Sequence, residues 1–181
     1  MGIDGSNPRQ LTFGKGENFP HVTPDGRWVV YATVSFAERN LVWKVPFEGG
    51  EPVALTDKTS SWPFVSPDGR WVACTYSEAP NTPLKLAVVP FEGGPPARLF
   101  DLESSFGANT VWLPDNRGIA YLDNRTGTMN VWLQPTGGGQ PVQLTDFKGN
   151  GVVSHDWSRD GRLALARSAL NTSVVLIRDF R

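Results

Sequence analysis

Pro52-Val53-Ala54-Leu55-Thr56 is one of four related segments that decide the fold of this chain. The other three are Pro8-Arg9-Gln10-Leu11-Thr12, Pro96-Ala97-Arg98-Leu99-Phe100 and Pro141-Val142-Gln143-Leu144-Thr145. Their leucines lie 44, 44 and 45 residues apart. A repeat of this length is typical of solenoids, propellers and other arrays of one structural unit. The sequence therefore predicts an architecture more strongly than it predicts a chemistry.

Two further blocks recur in the same register. Residues 19–29 and 62–72 correspond, and each contains a Pro-Asp-Gly turn, which survives in the later units as Pro114-Asp115-Asn116 and Arg159-Asp160-Gly161. Val45-Pro46-Phe47-Glu48-Gly49-Gly50 returns at 89–94 and, altered, at 134–139. Three blocks in a fixed order define one repeating unit.

The composition predicts one globular domain whose surface has no large patch of a single charge. Charged residues make up 19% of the 181 residues and the net charge is -1, with the signs interleaved. This pattern favours neither nucleic acid nor an anionic membrane as a partner. We expect no membrane span, because the chain has no apolar run of about 20 residues, and no secretory signal, because no basic start is followed by an apolar stretch. The single cysteine, Cys74, lies in an apolar run, so we expect a buried thiol and no internal disulfide.

Glycine and proline divide the chain into short segments that are typical of strands. The 19 glycines and 15 prolines leave no long helical period. In the first unit we predict strand A at 19–23, strand B at 28–34, strand C at 41–47 and strand D at 52–56. Four short strands in each repeat predict an all-β fold, a β-propeller of four-stranded antiparallel blades.

The recurring turn residues have structural explanations. In the A–B turn, proline presets φ, aspartate bonds to nearby backbone and glycine accepts a positive φ. Gly49-Gly50 and Gly93-Gly94 likewise suit tight C–D hairpins, and no helix follows them to form a phosphate site. We therefore interpret Asp25, Asp68, Asp115 and Asp160 as turn residues.

Most of the seven tryptophans occupy matching strand positions, which favours packing between blades. Trp28 and Trp71 open strand B, Trp43 and Trp132 lie in strand C, and Trp112 and Trp157 lie in strand A. Trp62 is matched least well across the units. It is therefore the best candidate for stacking on a sugar or a base.

These residues resemble the TolB-type, WD-like β-propeller repeats. The family pattern is a Ser-Pro-Asp-Gly turn followed, two strands later, by Gly-Gly-x-Pro-x-x-Leu-Thr, and Ser66-Pro67-Asp68-Gly69 and residues 49–56 match it. The tail, residues 123–132, 143–148, 156–161 and 174–177, is similar to the C-terminal propeller of bacterial, often acidobacterial, proteins that carry a serine/threonine kinase or winged-helix domain. The resemblance implies a sensory or interaction module without catalysis here, since no kinase motif is present in the chain.

Enzyme motifs are missing from the sequence. No Gly-x-Ser-x-Gly elbow occurs, and a metal bound by His21 and His155 would lack a third ligand in the sequence pattern. His155-Asp156 is the remaining candidate for an oriented base, which His21 would approach if the first and fourth blades adjoin. A structural hydrogen bond is the simpler interpretation of each histidine. We expect no catalytic residue, no cofactor and no metal.

For binding, the sequence favours the loops where the units differ. The D–A loops (14–18, 58–61, 103–108, 148–153) and the B–C loops (35–40, 77–83, 123–128, 168–172) share one face of a propeller. Phe36, Phe106 and Arg125 are the plausible contacts there, besides His21, Trp62, His155 and Asp156.

The repeat phase predicts how the blades are assembled. We expect an orphan outer strand in residues 1–14, blades at 15–57, 58–101 and 102–146, and a fourth blade at 147–181 that lacks its outer strand. Closure by the N-terminal strand removes open sheet edges. One hypothesis is a homodimer of eight blades; a fragment of a longer propeller and a four-bladed ring are the alternatives.

The sequence thus predicts a non-enzymatic binding or sensory propeller from a larger bacterial signalling protein, with a protein or small ligand as its partner. The alternative is an accessory propeller that gates substrate access to a serine peptidase similar to prolyl oligopeptidase.

Overall fold

The computed structural model describes residues 4, 6–14, 16–35, 39–102 and 109–168. Four strands, β1 (Glu17–Val22), β2 (Trp28–Thr33), β3 (Val42–Pro46) and β4 (Val53–Ala54), form the first antiparallel sheet in chain order. They lie within a few residues of the predicted strands A to D. The all-β prediction is confirmed, and the described part of the chain holds no helix long and apolar enough to cross a membrane.

The same sheet is built again along the chain. The second sheet contains β5 (Ser60–Val65), β6 (Trp71–Tyr76), β7 (Lys85–Pro90) and β8 (Arg98–Asp101), and the third contains β9 (Val111–Trp112), β10 (Gly118–Asp123), β11 (Asn130–Pro135) and β12 (Val142–Gln143). β13 (Val152–Trp157) and β14 (Leu163–Arg167) pair as the start of a fourth sheet. The antiparallel four-stranded sheets have the arrangement predicted for propeller blades, while the predicted blade boundaries stay a prediction.

The expected closing strands stay a prediction. Residues 8–12 adopt no strand, and the segment at 174–177 with which they would pair lies outside the described residues. The homodimer that rests on this pairing is likewise untested.

The core lies between successive sheets. One cluster joins the first and second sheets through Val30, Leu55 and Cys74, a second joins the second and third through Leu86 and Ile119, and a third joins the third sheet to β13. Cys74 is fully buried, as expected, and burial raises the pKa of its thiol to about 12. Each sheet is therefore stabilised chiefly by its neighbours in the sequence.

Aromatic rings and cationic side chains contact the C–D turns. Trp28 meets Phe91 edge to face, with ring centroids 6.0 Å apart. The Lys44 side chain is only 6% exposed, and its Nζ donates to the Phe91 carbonyl at 2.9 Å while lying over the rings of Trp28 and Phe91. Arg9 donates to the Phe47 carbonyl and approaches Glu48 in the equivalent turn of the first sheet. A cation from a preceding segment thus holds each Phe-Glu-Gly-Gly turn.

Candidate functional site

The four A–B turns share one backbone geometry. Gly26 N donates to the Thr23 carbonyl at 2.8 Å, and the same turn closes from Gly69 to Ser66, from Asn116 to Leu113 and from Gly161 to Ser158. The Thr23 hydroxyl donates to Asp25, which also accepts from the backbone of Arg27. These contacts confirm the turn function of this aspartate. Since the turns are alike, the second residue of each turn occupies an equivalent position.

Those second residues meet around one cavity, which we call the turn cavity. It has a volume of about 580 Å³ and is lined by Pro24, Pro67, Trp112, Pro114, Trp157 and Arg159. All four repeating units contribute to it. A concave site of several hundred Å³, mostly apolar and with a single charged side chain, has the composition of a small-molecule site.

Arg159 stands where the other three turns have proline. Proline at such a position fixes φ and stabilises a turn by about 0.4–1 kcal/mol over residues with a freer backbone. Within the described part of the chain, the guanidinium of Arg159 has no hydrogen bond or ion pair that would offset this loss. Turn stability therefore does not explain the arginine.

Two tryptophans at equivalent positions of strand A form the rest of the lining. Trp112 is 5% exposed and its Nε1 donates to the Phe64 carbonyl at 2.9 Å, which fixes the ring against the second sheet. Trp157 is partly exposed, and its buried Nε1 has no acceptor in the described part of the chain. The predicted packing function is confirmed for Trp112, while both rings also face the cavity.

Trp62 lies in a bulge of β5, where the register shifts between Ser61 and Phe64. Phe19 lies in the matching bulge of β1, and both have a positive φ, 55° for Phe19 and 53° for Trp62. Their rings stack with centroids 3.7 Å apart, so Phe19 covers one face of the Trp62 ring. His21, which is exposed, packs edge-on against Phe64 with centroids 5.5 Å apart.

His155 is 7% exposed and faces the third sheet. Its Nε2 bonds to the Asn109 carbonyl at 2.9 Å, and its buried Nδ1 has no hydrogen-bond partner among the residues that the structure describes. Burial lowers the pKa of His155, against smaller opposing effects of the Asn109 bond and the charge of Asp156. Asp156 itself is exposed and accepts from the backbone of Trp157. The two side chains are not hydrogen-bonded to each other, and the described residues contain no group of three potential metal ligands.

Arg125 folds back onto its own sheet. Its guanidinium pairs with Asp123, whose side chain is fully buried, and lies 4.4 Å over the Trp132 ring. Phe36 and Phe106 lie outside the described residues. Of the seven predicted contact residues, the five that the structure describes do not line the turn cavity.

Sequence reasoning missed the turn cavity because it placed function in the loops that vary most. The sequence did contain a signal for the cavity, in the A–B turns, which are the most regular part of the repeat. Arg159 is the one residue other than proline among the four equivalent positions. Trp112 and Trp157 had been assigned to packing alone.

Three-dimensional comparison defines the class of protein. Neither the protein-family models nor the curated proteins give a match to this sequence. The described architecture is that of a β-propeller.

Among solved structures, the fold is similar to TolB from Acinetobacter baumannii (TM-score 0.72, 22% identity, covering 94% of this chain and 42% of that one). It is also similar to a putative TolB from Agrobacterium tumefaciens (0.68, 21%, 90% and 59%). The β-propeller domain of the Trilobed protease from Pyrococcus furiosus is a further match (0.57, 17%, 80% and 46%). The chain is therefore a TolB-like β-propeller in fold, and it spans between two fifths and three fifths of the length of these structures.

Proposed function

We propose that this propeller is a non-enzymatic binding module that takes up its ligand in the turn cavity. The observation that carries the proposal is the turn cavity itself, which residues from four equivalent turns line and which contains an arginine without a partner among the described residues. Loops on a rigid scaffold are common positions for binding residues, and the shared turn geometry makes this scaffold rigid.

The contacts of the histidines support binding over catalysis. His155 is held by a backbone carbonyl of the neighbouring sheet, and His21 packs on Phe64. Neither histidine is a residue of the turn-cavity lining. Because a general base has to reach the proton that it removes, neither histidine is positioned to act on a ligand in the turn cavity.

The test is an NMR titration of the seven tryptophan indole signals with a small set of neutral, cationic and anionic aromatic compounds. Trp112→Phe and Trp157→Phe variants assign the two signals from the turn cavity. We expect at least one compound to shift these two signals and to leave those of Trp43 and Trp71 unchanged.

If no compound shifts the two cavity signals, the turn cavity is not a binding site. Turnover in an esterase or glycosidase assay that disappears in His155→Ala would contradict the non-enzymatic part of the proposal.

The wider context of the module is also proposed. A larger bacterial signalling protein with a kinase or winged-helix domain is the parent that we favour, on the resemblance of the tail. A peptidase-associated propeller is the alternative, and the 17% identity to the Trilobed protease domain concerns fold alone. An upstream kinase or DNA-binding domain in the gene would support the first, and a downstream hydrolase domain the second.

A further inference from the structure

We propose that the ligand of the turn cavity is a small aromatic carboxylate, bound through Arg159. This inference rests on the proposed function and specifies the class of ligand. Its first support is the position of Arg159, which replaces a proline and has no partner among the described residues. A guanidinium presents paired N–H donors that match a carboxylate.

The charge balance of the turns supports an anionic ligand. Each turn contains an aspartate followed two residues later by an arginine, so these charges cancel. Three of the four couples form ion pairs, namely Asp25–Arg27 at 4.0 Å, Asp115–Arg117 at 2.6 Å and Asp160–Arg162 at 2.9 Å. Arg159 belongs to none of these couples, so its positive charge is not cancelled within the four turns. The turn cavity is therefore complementary to a single negative charge.

The remaining lining supports an aromatic body for the ligand. Three proline rings and two indole rings provide flat apolar surface against which another ring can stack. The lining offers few donors besides Arg159, since proline has no N–H and Trp112 Nε1 is already bonded to Phe64.

A peptide chain would leave its amide groups without partners in such a lining, at a cost in free energy. A compact molecule with one carboxylate and no other polar group fits better. The cavity, at about 580 Å³, is of a size that takes such a molecule.

The experiment compares three probes of one shape: phenylacetate, its neutral analogue phenylacetamide and the cation 2-phenylethylammonium. Binding is measured by calorimetry and by the indole signals of Trp112 and Trp157. We expect the affinity for phenylacetate to be about 10- to 100-fold higher than the affinities for the other two probes. This ratio corresponds to the usual free energy of a charge-assisted hydrogen bond. The preference should weaken at high salt.

Arg159→Pro is the decisive variant, because it restores the residue that the other three turns carry. It should remove the preference for the carboxylate while preserving the fold, and Arg159→Gln should do the same. Arg159→Lys should retain part of the preference, since it keeps the charge without the paired donors. The matched control is Arg98→Ala, which removes an exposed arginine that lies outside the four turns and does not line the cavity.

Equal binding of the three probes, or a preference that survives in Arg159→Pro, would overturn the inference. So would binding of N-acetyl-Pro-Phe, a peptide acid, without binding of phenylacetate. If none of these probes binds but another aromatic compound shifts the cavity signals, the inference fails and the proposed function stands. If nothing shifts them, both fail.

Discussion

We expect His155 to make the stability of the protein sensitive to pH. Burial lowers the pKa of this ring below its ordinary value of 6.5, so between the two pKa values the unfolded chain binds more protons than the folded one. The free energy of unfolding is then highest above about pH 6.5 and falls as the pH drops through the pKa of the folded ring. We expect denaturant midpoints measured from pH 7.5 to pH 5 to fall less in His155→Gln than in the wild type.

His21→Gln is the control for this measurement, because partial burial lowers the pKa of His21 as well. The His21→Gln variant lacks the contribution of His21 to the pH dependence of the free energy of unfolding and should keep the contribution of His155. An unchanged pH dependence in His155→Gln would contradict the prediction.

Arg125 illustrates a residue whose function changes once its surroundings are known. Its partner Asp123 is fully buried, so Arg125→Ala should destabilise the protein by about 3 kcal/mol by removing the compensating charge. Chemical denaturation measures this loss, and Arg117→Ala, at an exposed ion pair, is the matched control with a loss below about 1 kcal/mol. Similar losses in the two variants would contradict the assignment.

At the scale of single residues, local chemistry was predictable and distant contacts were not. The turn function of Asp25 follows from its neighbours in the sequence, and the structure has those hydrogen bonds. The partner of His155 is the Asn109 carbonyl, 46 residues away. Only the packing of two sheets brings these atoms together.

At the scale of elements, the C–D turn of the second sheet is held by an ion pair whose two members are very unequally buried. Lys44 is 6% exposed, whereas its partner Glu92 is 88% exposed. Glu92→Gln should therefore cost less than about 0.5 kcal/mol, as exposed ion pairs contribute little. Lys44→Ala should cost about 2 kcal/mol or more, because it removes the bond to the Phe91 carbonyl and the contacts with two rings. Thermal and chemical unfolding of both variants measures the difference, and equal costs would contradict it.

Strand positions were predictable to within a few residues because alternation and turn residues are local signals. Strand D was expected over five residues, but β4 pairs over Val53–Ala54 only. The bulges at Phe19 and Trp62 were not predicted, since a bulge depends on how two strands pair. Likewise the turn cavity needs four turns to converge, which no single unit specifies.

At the scale of the whole molecule, stability should be graded from sheet to sheet. The second and third sheets each contribute to the clusters on both of their sides, and β6, β7 and β10 are buried along most of their length. β13 contains two buried residues, and β14 contains only partly buried and exposed residues. In an array in which each unit contacts its neighbours, the unit covered on both sides opens last.

We therefore expect hydrogen exchange to be slower in β6, β7 and β10 than in β13 and β14. Cys74, in β6, gives an independent readout, because its fully buried thiol, with a pKa raised to about 12, should react with an aromatic disulfide only after the second sheet opens. The free energy of opening from thiol labelling should match that from the amides of β6. Leu86→Ala, which removes a fully buried side chain between the second and third sheets, should accelerate both processes. Uniform exchange across all the sheets would instead mean that the molecule opens only as a single cooperative unit.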